Sequence, residues 1–265
     1  MIGRGPIART GLATVALLAA LLFALPLLGL LVRTPWGELP ALLQQPAVLR
    51  AVGLSLVSSG SALLLAIGFG LPLAVWLASG HSPLRTVVRI VVTLPIVLPP
   101  ITAGIALLLA FGRNGLVGAW LDRWFGIGLP FTTFATVVAA AYMGMPFFVL
   151  SVEAGLRAFD RRYLDVASTL GASPLRRFVL VTLPMVLPSL RTGALLCWAR
   201  GLGEYCATQM FAGNLDGTTR TMPLACGMAM ESEPNVAIAL SVILVAVSVG
   251  VLFVLRHGFP GQERR

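Results

Sequence analysis

Three groups of residues in this chain have types and spacings that could do chemistry. The first is a pair. Arg200 and Glu204 stand four apart in an apolar run, so a continuous helix would place them on one face, each able to neutralise the other. A charge inside apolar surroundings is costly and usually faces a cavity or a partner charge. Two readings of the pair stay open. It fixes helix packing, or Arg200 flanks the route of a dianion while Glu204 limits how tightly the anion is held. The second group is Pro95, Pro99 and Pro100, which interrupt another apolar run. Each removes a backbone donor and bends a helix. Broken helices are tolerated where they line a cavity or are packed in protein, so a pathway or gate and a mere packing kink are both open. Thr93, Thr102, Thr208 and Asn214 are candidate polar liners, although lone polar residues in such runs are more often satisfied by their own helix. The third group is a polar, arginine-bearing segment from Asp165 to Pro184. Its composition suits a docking surface, or equally a loop lying on anionic headgroups.

Enzyme chemistry finds no support in the residues. The two histidines, His81 and His257, sit at the edges of apolar runs, and neither HExxH nor GxSxG occurs. No GxxxxGK[ST] occurs, and the chain has no Lys at all, so it cannot be an ATPase of that kind. Cys197, Cys206 and Cys226 are scattered, with no CxxC, and indicate neither a disulfide framework nor a zinc site. Met143, Met145, Met228 and Met230 read as packing. No catalytic residue, metal or cofactor is expected on this chain.

The elements that position these groups are membrane spans. Of 265 residues 57% are hydrophobic and 11% charged, and the mean hydropathy is +0.92. A soluble domain carries about twice that charge. Six apolar segments are long enough to cross a bilayer, near 11–32, 54–78, 86–111, 132–151, 185–211 and 236–255. The run from Leu12 to Val32 is long for a signal peptide and lacks a clear small-residue cleavage site, so it is read as a retained first span. Irregular backbone cannot face lipid, which leaves a single all-α membrane domain over 1–265.

Arginine counting orients the bundle. With the N-terminus inside, the inner side holds Arg4, Arg9, Arg85, Arg89, Arg157, Arg161, Arg162, Arg176, Arg177, Arg191, Arg256, Arg264 and Arg265. The outer side holds Arg33, Arg50, Arg113, Arg123 and Arg220. That asymmetry is the positive-inside pattern, so the net charge of +9 signals topology and no nucleic-acid partner. Both termini and a segment at 153–186 are then cytoplasmic. Within that segment, Leu156, Phe159, Tyr163, Val166, Ala167 and Leu170 recur at helical spacing. Gly171 follows as a helix terminator. Ser173 and Pro174 read as the N-cap and first residue of a second helix, with Leu175, Phe178 and Val179 as its apolar edge. Pro184 and Pro188 mark re-entry into the membrane.

The spacing Asp165-Val166-Ala167, Gly171, Val181-Thr182-Leu183-Pro184 resembles the EAA motif of ABC-importer permeases, with Asp for Glu, Val for Ala and Val for Ile as conservative departures. The shorter acid could alter a contact with the partner, while the elbow geometry is retained. The resemblance implies the type I importer permease fold with six transmembrane helices. It also implies that Asp165, Ala167, Gly171, Ala172, Ser173, Pro174 and Leu175 form a coupling segment seated in a groove of a separate ATP-hydrolysing subunit.

Further stretches are similar to the molybdate, tungstate and sulfate/thiosulfate permeases. These are Ala199 to Thr208, Phe211 to Asn214, Thr219 to Leu224, Leu94 to Pro100, Leu109 to Gly115, Leu129 to Thr133 and Met145 to Phe147. They are most similar to the molybdate branch. The implied assembly is a homodimer in a bacterial inner membrane. Two cytoplasmic ATPase subunits carry the ATP, and an extracytoplasmic oxyanion-binding protein meets the outer loops near 33–50, 112–131 and 212–235. Arg200, Glu204, Pro95, Pro99, Pro100 and Asn214 are the expected pathway or gate residues. A tungstate or sulfate permease and a stand-alone secondary anion transporter are the alternatives. The last would need coupling-ion groups beyond a pair that cancels itself, and no internal repeat is evident.

Overall fold

A computed structural model of the chain describes residues 6–160 and 162–257. Arg4, Arg161, Arg264 and Arg265 of the arginine count lie outside the described residues, as do the side chains of Arg9, Arg256 and His257. The described residues are helical, with no strand. In chain order the helices are α1 (Pro6–Arg33), α2 (Leu39–Leu43), α3 (Pro46–Leu65), α4 (Leu71–Ala78), α5 (Pro83–Val97), α6 (Pro100–Phe111), α7 (Gly118–Phe125) and α8 (Thr133–Ala158). They continue with α9 (Arg162–Thr169), α10 (Pro174–Arg177), α11 (Leu183–Met185), α12 (Leu187–Leu202), α13 (Cys206–Ala212), α14 (Met222–Ser232) and α15 (Pro234–His257). Wide π turns at Ala66–Gly70 and Phe178–Thr182 join α3 to α4 and α10 to α11.

Four stretches are long and apolar enough to cross a membrane unbroken: Leu12–Arg33, Pro46–Ala78, Thr133–Ala158 and Pro234–Leu255. Pro174–Met185 and Leu187–Leu202, bent by 69° at Val186, count as a fifth if taken as one span. The expected third span is two helices, because Pro99 and Pro100 have no N–H to continue the ladder and Leu98 adopts the extended backbone favoured before proline. Pro95, buried inside α5, does not end it. The fifth expected span also divides, into α12 and α13 at residues 203–205.

α8 is the axis of the bundle. Two thirds of its most apolar window (67%) is buried, against 17% for α15 and none for α1. The α3–α4 unit and α12 pack on its flanks, around Ala66, Ala74, Leu77, Phe148, Val149, Val152 and Cys197. With no hydrophobic drive between helices in lipid, close backbone approach supplies the packing. At this seam small residues are required. A Cβ on Gly144 would fall 2.6 Å from the Cys197 carbonyl, and one on Gly193 3.1 Å from the Phe148 Cα. Ser151 Oγ adds a hydrogen bond across the seam to the Ser189 carbonyl at 2.8 Å. A second tie holds the outer helix α14, where the Met222 N–H donates to the buried Ser55 hydroxyl of α3 at 2.6 Å.

The seam makes a direct prediction. Gly144→Val forces a branched side chain against backbone, and overpacking of this kind destabilises by about 1–3 kcal/mol. The purified variant should therefore unfold at lower temperature than wild type in detergent. Unchanged thermal stability would refute the close backbone contact of α8 with α12 at Gly144.

Candidate functional site

The elbow is built at both roots by local rules. α8 runs on to Ala158, so the elbow begins at Phe159 rather than at 153, and Leu156 belongs to the bundle helix. Asp160 Oδ1 accepts from the Arg162 N–H at 3.0 Å and starts α9. α9 ends in a Schellman turn. The Gly171 N–H donates to the Ser168 carbonyl at 3.0 Å and the Ala172 N–H to the Ala167 carbonyl at 3.1 Å. The turn requires Gly171 at φ +77°, a conformation side chains oppose. Ser173 then caps α10, its hydroxyl accepting from the Arg176 N–H at 3.4 Å, with Pro174 as first helical residue. The terminator, the N-cap and the proline all stand where the spacing predicted.

The predicted apolar stripe of α9 is not packed inward. Tyr163 is 53%, Val166 59% and Leu170 81% exposed, as is Leu175 of α10 at 72%. Asp165 is exposed beside them, without an ion pair among the described residues. Asp165, Gly171, Ser173, Pro174 and Leu175 are thus all exposed, while Ala167 and Ala172 are half-buried. Leu164, Leu156, Val75, Ala78, Phe178 and Thr182 line a cavity of about 400 Å³ between the elbow and the bundle, so the elbow does not sit flush on α4 and α8.

Arg200 and Glu204 do pair, but not along one continuous helix face. α12 ends at Leu202, and Glu204 lies in the break before α13. Its carboxylate is 2% exposed; Oε2 accepts from Arg200 Nη1, and Oε1 accepts from the Ala207 N–H at 2.8 Å. Glu204 therefore does two jobs: it balances Arg200 and satisfies a donor of the first turn of α13. Each charge also complements the local helix dipole, Arg200 in the last turn of α12 and Glu204 at the start of α13. The helix after this break packs on the helix after the proline break. A Cβ on Gly104 of α6 would fall 2.6 Å from the Met210 Cβ and 2.9 Å from the Ala207 Cα. Two expected pathway groups are so brought together: the prolines, through α6, and the Arg200–Glu204 break, through α13.

Asn214 is elsewhere. Its side-chain oxygen accepts from Arg220 Nε at 2.8 Å in the loop after α13. Asp216 stands in the same loop, 2.7 Å from Arg50, whose hydrogen bond holds the Asp216 carboxyl below the usual carboxylate range. A lowered folded pKa gives stabilisation present above the unfolded pKa and lost as pH falls through the folded one. Thr93 bonds the Arg89 and Ile90 carbonyls of its own helix, both at 3.0 Å, and lines nothing by this contact.

One cluster has no counterpart in the sequence reading. Glu153, 5% exposed in its side chain, accepts from Arg89 of α5 at 2.6 and 3.1 Å and from Arg157 at 2.8 Å. Arg157 also donates to the Leu77 carbonyl at 3.0 Å and stands 3.3 Å from His81 Nε2. The available signal was an acid–arginine pair spaced i,i+4 at 153 and 157. It went unread because 153 was assigned to a solvated loop. Phe131, at φ +63°, is a second feature missed; its ring lies where a Cβ on Gly213 would fall, at 2.9 Å.

Residues 70–259 match the family model described as the binding-protein-dependent transport system inner membrane component. The chain is 40% identical over 225 residues, 85% of either chain, to the molybdenum transport system permease protein ModB of Mycobacterium tuberculosis. It is 35% identical over 206 residues, 78% of this chain and 90% of the relative, to the same-named protein of Escherichia coli K12. In fold it is similar to a chain in the crystal structure of a bacterial ABC transporter involved in the import of the acidic polysaccharide alginate. That likeness has a TM-score of 0.71 at 18% identity and covers 95% of this chain and 96% of the other.

The geometry at the second break orders two variants. Arg200→Ala leaves a buried carboxylate without its cation, and breaking such a pair costs up to about 3–5 kcal/mol. Arg200→Ala combined with Glu204→Gln removes the stranded charge and keeps an acceptor for Ala207. The double variant should be more heat-stable than the Arg200→Ala single. Thermal unfolding in one detergent decides it, and the reverse order would refute the view that Arg200 is the partner Glu204 needs in this buried break.

Proposed function

Because this chain belongs to the family of binding-protein-dependent transport system inner membrane components, we propose that it is the permease subunit of an ATP-driven molybdate importer. The observation that carries the mechanism is the elbow. A rigid helix, Schellman turn and capped helix project exposed apolar side chains and Asp165 from the inner end of α8. Exposed apolar side chains gathered on a short charged elbow suit a soluble partner. Relatives named for molybdenum transport support the cargo.

On this reading the chain is one membrane domain, 1–265, with six spans: the four unbroken helices, the proline-broken pair at 83–111, and α12 with α13. Both termini and the elbow are cytoplasmic in a bacterial inner membrane. Two copies enclose the pathway. Two ATPase subunits hold the elbows, and an extracytoplasmic binding protein delivers the oxyanion to the loop that contains Asn214, Asp216 and Arg220 and to Arg50 in the first turns of α3. The chain binds lipid but no metal, cofactor or nucleic acid of its own. ATP-driven closure pushes the elbows and exchanges an inward-open for an outward-open arrangement, a two-state change biased by the ATPase. α6 and α13, the halves beyond the two breaks, move as one packed unit toward the outer loops. Arg200 meets the dianion, and Glu204 prevents it from becoming a trap.

Two measurements test this. Gly171→Val places a β-branched side chain at positive φ, a strain of about 1–3 kcal/mol that the exposed elbow relieves by opening. In liposomes holding permease, ATPase and binding protein, ATP-driven molybdate uptake should fall at least tenfold, about 1.4 kcal/mol, while the assembled complex is still recovered. Wild-type uptake would refute the elbow as the coupling element. Calorimetry of the cognate binding protein with molybdate, tungstate and sulfate tests the cargo. Tight binding of sulfate with no response to molybdate would transfer the proposal to a sulfate permease.

A further inference from the structure

We propose that the Arg89–Glu153–Arg157 cluster is the joint through which movement of the elbow reaches the bundle, with Glu153 its positioning residue. This rests on the permease reading above and names a role that the elbow and the pathway residues leave unfilled.

A stroke delivered to the exposed surface of α9 and α10 must enter the bundle at the elbow's two roots. The root on α12 is tied to α8 through the Ser151–Ser189 hydrogen bond and the glycine seam. The root on α8 is Arg157 and Ala158, the last residues before the chain leaves the helix. At that point one nearly buried carboxylate and its two arginines tie α8 to α5 and to the end of α4. Arg89 reaches Glu153 from α5 with Nε and Nη2 together, a two-pronged contact that fixes direction as well as distance. Arg157 reaches Glu153 from one helical turn away and, with its other end, holds the Leu77 carbonyl near the end of α4. His81 of the α4–α5 connection stands against the same guanidinium.

Stability alone is a poor account of this arrangement. A buried ion pair adds little over apolar packing of the same volume, and often less than nothing. Directional contacts do what apolar packing cannot: they stop α5 sliding along α8. α5 then carries the displacement through the Pro99 break into α6, which is locked on α13 at Gly104. The cavity of about 400 Å³ beneath the elbow gives the motion room at the start of that path. A chain of contacts is only a route until coupling is measured along it, so the decisive quantity is molybdate transported per ATP hydrolysed.

The experiment uses the complete transporter, permease with its ATPase, in liposomes with binding protein and molybdate. Uptake and hydrolysis are measured together for wild type, Glu153→Gln and Arg89→Lys. Glu153→Gln keeps the side-chain shape and removes the charge. Arg89→Lys keeps the charge and removes the two-pronged geometry. Molybdate imported per ATP should fall at least about fivefold in both, the lower end of ordinary coupling effects, while complex recovery and basal hydrolysis stay at wild-type levels. A wild-type ratio in both variants would overturn the proposal. If Glu153→Gln fails to assemble, Arg89→Lys decides alone: assembly with a reduced ratio supports the joint, and assembly with a wild-type ratio reduces the cluster to a structural pair. If Arg89→Lys fails to assemble as well, the cluster is a structural pair and the proposal falls. Failure of the permease reading itself would look different, because wild type would then import no molybdate with ATP.

Discussion

An amide or carbonyl left unpaired in hydrocarbon costs several kcal/mol, and a membrane helix that breaks must find substitutes for the hydrogen bonds it gives up. That constraint governs both interruptions in this bundle, and they meet it in opposite ways. At Leu98–Pro99–Pro100 two of the missing donors were never present, because proline has none. At residues 203–205 the donors exist, and a carboxylate has been placed to receive one. Glu204 bonds the Ala207 N–H, and Arg200 keeps the carboxylate from being an isolated buried charge. The pair that reads as a pathway element is thus also a condition of the helix being broken at all. The structural role of Arg200 and Glu204 is compatible with the transport role proposed for them, since both rest on the same pairing.

The close approach of α8 and α12 has a similar standing. Gly144 and Gly193 let two backbones touch, and the core residues on either side pack because those backbones are already close. Around this seam the charged groups are divided by depth. Arg200 and Glu204 sit at a helix break, Glu153 with its two arginines near the end of α8 beside the elbow, and Asp216, in a connecting loop, pairs with Arg50 near the start of α3. Each of these three anions is matched by arginine. With lysine absent, every cation is a planar fork able to bind a carboxylate by two donors.

Much of this was legible in the residues. Gly171, Ser173 and Pro174 fixed the elbow's shape because helix termination and capping are local events, decided within a few residues. The break at Pro99 and Pro100 was legible for the same reason. The break before Glu204 was not. Gly201 and Gly203 are compatible with a continuous span, and only the tertiary placement of the carboxylate under α13 shows that the ladder stops. The Glu153 cluster was hidden by a boundary error of about seven residues, which moved a buried acid into solvent on paper. The exposed stripe of α9 could not be assigned a side, since helical periodicity shows that an apolar face exists and not whether this chain covers it. The short helices α2, α7 and α14 in the connecting loops carry too few residues for periodicity to register.

The two breaks differ in stiffness. Bending further at Pro99 forfeits no amide donor there, because none was engaged. Bending at Gly203 would pull Glu204 from the Ala207 N–H or from Arg200, with a definite enthalpy attached. One is a free joint and the other a latched one, in series along the same packed unit of α6 and α13. Of the two breaks, only the latched one must give up hydrogen bonds when it bends, those of Glu204 to Arg200 and to the Ala207 N–H.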